Sequence, residues 1–187
     1  MYRKELLKDD KELWRNLLNG NIFALELLYR KYYALMFNYG MKCTSDDELV
    51  RDCIQEIFVK LSQSHNISET ESPRAYLLKS LRNLIKDKNS SFYYQSASLS
   101  FNDEIYSELV SDEFTDRLFG KTDEDLRLRK ALVKALLKLS AQQKHMLYLR
   151  YIKDLSHKEV AEIMDMNIQS SMNLLSRTLQ RLREILS

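Results

Sequence analysis

Near the end of the chain, Gln169, Ser170, Asn173, Arg177 and Gln180 fall on one side of a helical wheel. Met172, Leu175, Leu179, Leu182 and Leu186 fall on the other. The polar set has the chemistry needed to read base edges: arginine can bond guanine bidentately, asparagine or glutamine can do the same to adenine, and serine donates or accepts. Bond-making chemistry finds no comparable support. His65, His145 and His157 stand in no metal-ligand spacing, and the chain has neither a phosphate-binding glycine loop nor a nucleophile elbow. The run Asp123, Glu124, Asp125 could attract a cation, but carboxylates at a helix start are also what the helix dipole favours. No catalytic group, cofactor or metal is expected; the chemistry is recognition of a polyanion.

Several elements must hold that polar face in place. A helical stripe formed by Leu128, Leu132, Ala135, Leu136 and Leu139 is followed by two capping boxes, Ser140 with Gln143 and Ser156 with Glu159. The second box opens only a short helix, because Asp165, Met166 and Asn167 interrupt it before another begins near Ile168. Asn167 is placed to cap that last helix, an interaction worth about 1 kcal/mol. Short helix, brief turn and longer helix are the layout of a helix-turn-helix, whose second helix enters the major groove. Lys144, Arg150, Lys153, His157 and Lys158 precede the reading helix and could hold phosphates. A helical hairpin on a bundle carries the same signals. So does a regulator that binds its operator alone as a dimer.

The first half is patterned differently. Ile22, Leu25, Leu28, Tyr32, Leu35, Met36 and Tyr39 recur at helical spacing, with Glu26 and Arg30 as an i,i+4 ion pair. A second helix is expected from a box of Ser45 and Glu48 to about Leu61, with Val50, Ile54, Ile57, Phe58 and Leu61 facing inward. Asp52, Gln55, Glu56 and Val59 then share the outer face, which leaves a valine pointing at water. Pro73 suits the first turn of a third helix, from Arg74 to Lys88, that carries Arg74, Lys79, Arg82, Lys86 and Lys88. Tyr76, Phe92, Tyr93 and Tyr94 lie on or near this basic track and could present ring faces. A buried aromatic is the competing role for Tyr76.

Composition sets the frame. Among 187 residues there are three glycines and one proline, too few for strand-and-turn architecture, so an all-α fold is expected. The net charge of +2 conceals segregation: residues 74–94 carry five basic groups and one acidic, 95–126 two and nine, and 127–187 twelve and five. Two small helical domains, 1–95 and 127–187, are therefore expected on either side of an acidic linker, 96–126, with a short helix near Asp103 to Val110. Cys43 and Cys53 lack the number and spacing of a disulfide framework or zinc site and read as core residues. No apolar run approaches the roughly 18 residues of a membrane span, and the charged start is unlike a signal peptide. A cytoplasmic chain without membrane insertion is expected.

Over nearly its whole length the chain resembles the extracytoplasmic-function (ECF) sigma factors, promoter-specificity subunits of bacterial RNA polymerase within the sigma-70 family. Asn19 to Tyr33 is similar to that family's opening helix, and Asp52 to Leu61 to its polymerase-docking helix. Pro73 to Leu84 resembles the helix that melts the minus-10 element, and Leu139 to Met164 the minus-35-binding domain. The resemblance implies that Asp52, Gln55, Glu56 and Val59 contact core RNA polymerase. It assigns minus-10 DNA to Tyr76, Lys79, Arg82, Asn83 and Lys86, and minus-35 DNA to Lys158, Gln169, Ser170, Asn173, Arg177 and Arg181. It also implies an anti-sigma factor as a protein partner, and makes the acidic linker a thread through polymerase's RNA path. The chain departs from the family at Ser62, where a tryptophan is usual, and at Ser171, Met172 and Leu174 in the reading helix.

Overall fold

The computed structural model describes residues 9–63, 67–90 and 105–186, and among them every regular element is helical. The chain divides into two units, residues 1–94 and 95–187.

In the first unit α1 (Asp10–Leu18), α2 (Ile22–Cys43), α3 (Asp47–Gln63) and α4 (Pro73–Ser90) pack on one another. α1 was not among the expected elements. Its signals are local: Asp9 accepts the amide of Lys11, Asp10 and Glu12 suit the positive helix end, and Leu13, Trp14 and Leu17 are buried. It stops at a Schellman turn, in which Gly20 N–H donates to Leu17 O at 2.8 Å and Asn21 N–H to Asn16 O at 3.0 Å. Gly20 has φ 81°, a conformation glycine adopts without a Cβ penalty. Asn21 then caps α2 through the amides of Phe23 and Ala24.

α2 buries Ala24, Leu27, Leu28, Tyr32, Met36 and Tyr39, and the Glu26–Arg30 pair closes at 2.8 Å. Ile22, expected in this stripe, is 78% exposed. The reason is tertiary: α1, α3 and α4 all pack on α2, and the arc they cover begins at Ala24, beyond the first residues of the helix. A Cβ on Gly40 would stand 2.5 Å from Val50 Cγ1, so glycine permits the close approach of α2 and α3 there. α3 is capped by Asp46, not Ser45: Asp46 Oδ1 accepts Leu49 N–H at 2.9 Å, and Thr44 Oγ1 accepts the amide of Asp46. The cap thus falls one residue later than the box of Ser45 and Glu48 would put it. Val50, Cys53, Ile54, Ile57, Phe58 and Leu61 are buried as a stripe, leaving the outer face to polar residues and Val59. Ser72 Oγ accepts Ala75 N–H at 3.2 Å ahead of α4, with Pro73 in its first turn.

In the second unit a helical stretch at 105–109 and α5 (Asp112–Leu118) precede α6 (Asp123–Leu137) and α7 (Ala141–Leu147). α7 widens into a π-helical turn, Tyr148–Ile152, followed by α8 (His157–Ile163) and α9 (Ile168–Leu186). Both expected capping boxes are formed, and a third joins Thr122 to Asp125 at the start of α6. Asn167 Oδ1 accepts Ser170 N–H at 2.7 Å, capping α9.

Two expectations change here. α9 buries Ser171, Leu175, Thr178 and Leu182, whereas Met172, Leu179 and Leu186 are 45%, 39% and 38% exposed. Packing against α6, α7 and α8 uses a narrower seam than the apolar residues define. Leu128 is likewise exposed on α6. The described part of the acidic segment is folded rather than an open linker: Ile105 and Leu109 are buried, Tyr106 donates its hydroxyl to Val133 O at 3.3 Å, and Arg129 pairs with Asp112 and Asp116. The acidic residues answer basic groups of the same unit, and an i,i+4 apolar pair is enough to anchor them.

Candidate nucleic-acid interface

α8, the turn at Asp165 and α9 form a helix-turn-helix. Its turn is a second Schellman closure, in which Met166 N–H reaches Ala161 O at 3.0 Å and Asp165 N–H reaches Glu162 O at 3.3 Å. Asp165 has φ 57°, and aspartate is among the few non-glycine residues that tolerate the left-handed region. The closure aims α9 outward. Gln169, Ser170, Asn173, Arg177, Gln180 and Arg181 are exposed on it. Gln169 Nε2 donates to Asn173 Oδ1 at 3.1 Å, which links the two amides. Gln180 is drawn instead toward Glu184, at 3.0 Å.

The basic residues ahead of α9 separate into two groups. Lys158 is exposed at the start of α8. Lys144 is buried, with Nζ 5.1 Å from the Tyr106 ring centroid, while Lys153 lies 3.4 Å from Glu108 and over the Tyr148 ring. Arg150 donates to Leu155 O at 3.1 Å, and His157 is half-buried with Nδ1 lacking a partner. Lys144, Arg150 and Lys153 therefore brace the unit internally instead of standing ready for phosphates. The Asp123–Asp125 run belongs to a helix start: Asp125 Oδ2 accepts the Thr122 hydroxyl at 2.7 Å and its amide at 3.1 Å, and these bonds lower the carboxyl's pKa. Among the described residues no cluster of three or more histidine, cysteine or acidic side chains could hold a metal.

In the first unit the outer face of α3 presents Asp52, Gln55 and Val59, all exposed, with Val59 at 43%. Glu56 is half-buried beside them. Its Oε1 lies 2.6 Å from Lys60 Nζ and its Oε2 2.8 Å from Lys88 Nζ. Hydrogen bonds from Lys60 and then Lys88 hold its carboxyl down at about 2. The sign is that of a depressed acid: the pairing is complete above the ordinary carboxylate range and is lost as pH falls toward 2.

Between α3, α4 and the loop before α4 is a groove of about 330 Å³, lined by Ile57, Leu61, Ile67, Tyr76 and Asn83 among others. Tyr76, Lys79, Asn83 and Lys86 fall along one face of α4, while Arg82 projects to its flank. Tyr76 is neither fully buried nor fully open. Its half-buried ring meets Trp14 edge-on at 4.9 Å between centroids, and it also lines the groove. Trp14 Nε1 donates to Ser68 O at 3.2 Å, and Lys11 pairs with Glu71 at 2.7 Å, so α1 ties down the loop at the groove's edge. Sequence reasoning missed this support, although the acidic first turn and the spacing of Leu13, Trp14 and Leu17 are visible signals. Phe92, Tyr93, Tyr94 and His65 lie outside the described residues.

Among the described residues, one unit presents a helix-turn-helix with an exposed polar face and the other a basic helix beside a groove that Tyr76 lines, an arrangement suited to nucleic-acid binding. Residues 28–91 match the family model described as Sigma-70 region 2, and residues 129–182 the model described as Sigma-70, region 4. RNA polymerase sigma factor YlaC of Bacillus subtilis (strain 168) is 29% identical over 162 residues, 86% of this chain and 88% of that protein. The chain belongs to the sigma-70 family, as an ECF-type member, and so to the non-enzymatic DNA-binding factors of transcription initiation that serve promoter recognition. The outer face of α3 and the groove face of α4 lie within the first match, and the helix-turn-helix within the second. Among the described residues no helix is long and apolar enough to cross a membrane.

Proposed function

We propose that this chain docks on core RNA polymerase through Asp52, Gln55, Glu56 and Val59. It then opens and reads minus-10 DNA with Tyr76, Lys79, Arg82, Asn83 and Lys86, and reads duplex minus-35 DNA with Lys158, Gln169, Ser170, Asn173, Arg177 and Arg181. Residues 1–95 perform the first two tasks and 127–187 the third, joined by 96–126. The observation that carries this reading is the groove beside α4. It sets the Tyr76 ring and the Asn83 amide beside Ile57, Leu61 and Ile67, with Lys60 and Asp87 also in the lining, which offers an unstacked base a ring face and a hydrogen-bonding edge. A duplex-binding repressor has no use for such a groove. The protein works in the cytoplasm, where the chromosome and polymerase are, and an anti-sigma factor holds it inactive by covering these surfaces.

On α9, Arg177→Ala is expected to cost about 1 to 3 kcal/mol in minus-35 binding and to relax base preference at one position. Competition among single-base variants of the duplex measures it; uniform weakening across all of them would instead make Arg177 a phosphate contact. Lys158→Ala is expected to weaken every sequence alike and to lower the slope of log K against log salt by about one. A changed base preference in that variant would contradict the phosphate role. The decisive test is transcription: equimolar protein and bacterial core polymerase on a fragmented genomic template initiate at promoters sharing two boxes. Duplex binding without core binding or initiation would favour a regulator that acts alone.

A further inference from the structure

Lys88 sits at the last turn of α4, yet its ammonium lies on the acidic face of α3. It is 2.8 Å from Glu56 Oε2, and its surroundings also include the Asp52 carboxylate and the Cys53 thiol. It therefore covers one of the carboxyl groups assigned to polymerase docking, on the face that also carries Asp52. Both side chains of the pair are partly open to water, Lys88 at 38% and Glu56 at 34%, so the contact contributes little to stability and can exchange. A surface that receives a partner through Asp52 and Glu56 selects a cation there by charge complementarity. In the free chain, a cation is already present.

We propose that Lys88 is an intramolecular placeholder for a basic side chain of polymerase, and that docking requires Lys88 to swing away from the Glu56 carboxylate. This rests on the reading of α3 as the docking helix. The lysine stem is long and flexible enough to leave without disturbing α4. Lys60 does not play the same part: it lies on α3 itself, one turn from Glu56, takes the other carboxylate oxygen at 2.6 Å and is 63% exposed. Two cations competing for one carboxylate make the intramolecular one a brake on binding. Removing it also leaves the face more acidic, which speeds capture of a basic partner and makes that capture more salt-sensitive.

The test is the affinity of full-length wild-type, Lys88→Met and Glu56→Lys chains for core polymerase across a salt series. Methionine keeps the length of the stem and removes the charge, and thermal unfolding checks that the fold is retained. The expected result is binding of Lys88→Met several-fold tighter than wild type, with a faster on-rate and a steeper salt dependence. Equal or weaker binding of Lys88→Met, with Glu56→Lys still defective, overturns the placeholder and leaves the docking helix intact. Wild-type binding by Glu56→Lys overturns the docking assignment itself, and the placeholder with it.

Discussion

Glu56→Lys is expected to abolish binding to core RNA polymerase while leaving the affinity of the full chain for minus-35 duplex unchanged. The reversal acts twice. It removes a carboxylate that the proposed surface presents to a cation, and it sets a third ammonium beside Lys60 and Lys88, both of which now hold Glu56 within 2.8 Å. Like charges at such range repel the partner and one another. Loss of the two exposed pairs costs the fold little, about 0 to 1 kcal/mol each, so the defect belongs to the interface. Co-purification with core polymerase and a duplex-binding isotherm measure the two halves of the result. Retention of wild-type co-purification would remove α3 from the docking surface.

The second large effect concerns the acidic segment. Leu109→Ala is expected to destabilise the C-terminal unit by about 2 to 5 kcal/mol, the range for deleting a fully buried leucine side chain. Leu109 is 1% exposed and its neighbour Ile105 0%, and the same segment supplies Tyr106 to Lys144 and Glu108 to Lys153. Against a typical domain stability of about 5 to 15 kcal/mol, that loss is a large share. Urea unfolding followed by circular dichroism and by minus-35 binding should show the transition of this unit shifted to lower denaturant. A change below about 0.5 kcal/mol, the ordinary size of a surface substitution, would mean that the segment is detached in solution.

The features readable from the sequence share a physical character: their causes are local. The capping boxes at Ser140 and Ser156, the Asn167 cap and the Pro73 helix start each depend on residues within one turn, and each is formed. The stripe of α3 is similarly legible, because one face is apolar and the other polar apart from Val59. Where several apolar residues competed for a seam, the sequence could not decide. Ile22 and Met172 are exposed, and Ala24 and Ser171 buried, because neighbouring helices settle which arc is covered. The same limit applies to the candidate sites. The exposed face of α9 follows from its wheel, but the inward turn of Lys153 depends on Glu108, 45 residues earlier in the chain, and that of Lys144 on Tyr106. The short helix expected near Asp103 to Val110 is present at 105–109, but the burial of Ile105 and Leu109 within the unit has no signal in so weak a period.

Trp14 is the only tryptophan of the chain, so the red-edge intrinsic emission of the whole protein originates at one point. That indole is 1% exposed, donates to the carbonyl of Ser68 and lies against Tyr76. Its fluorescence is thus wired to the loop and the ring at the edge of the α4 groove. A strand entering the groove changes the polarity and quenching around a single fluorophore, and stopped-flow emission then follows strand capture in an unlabelled protein.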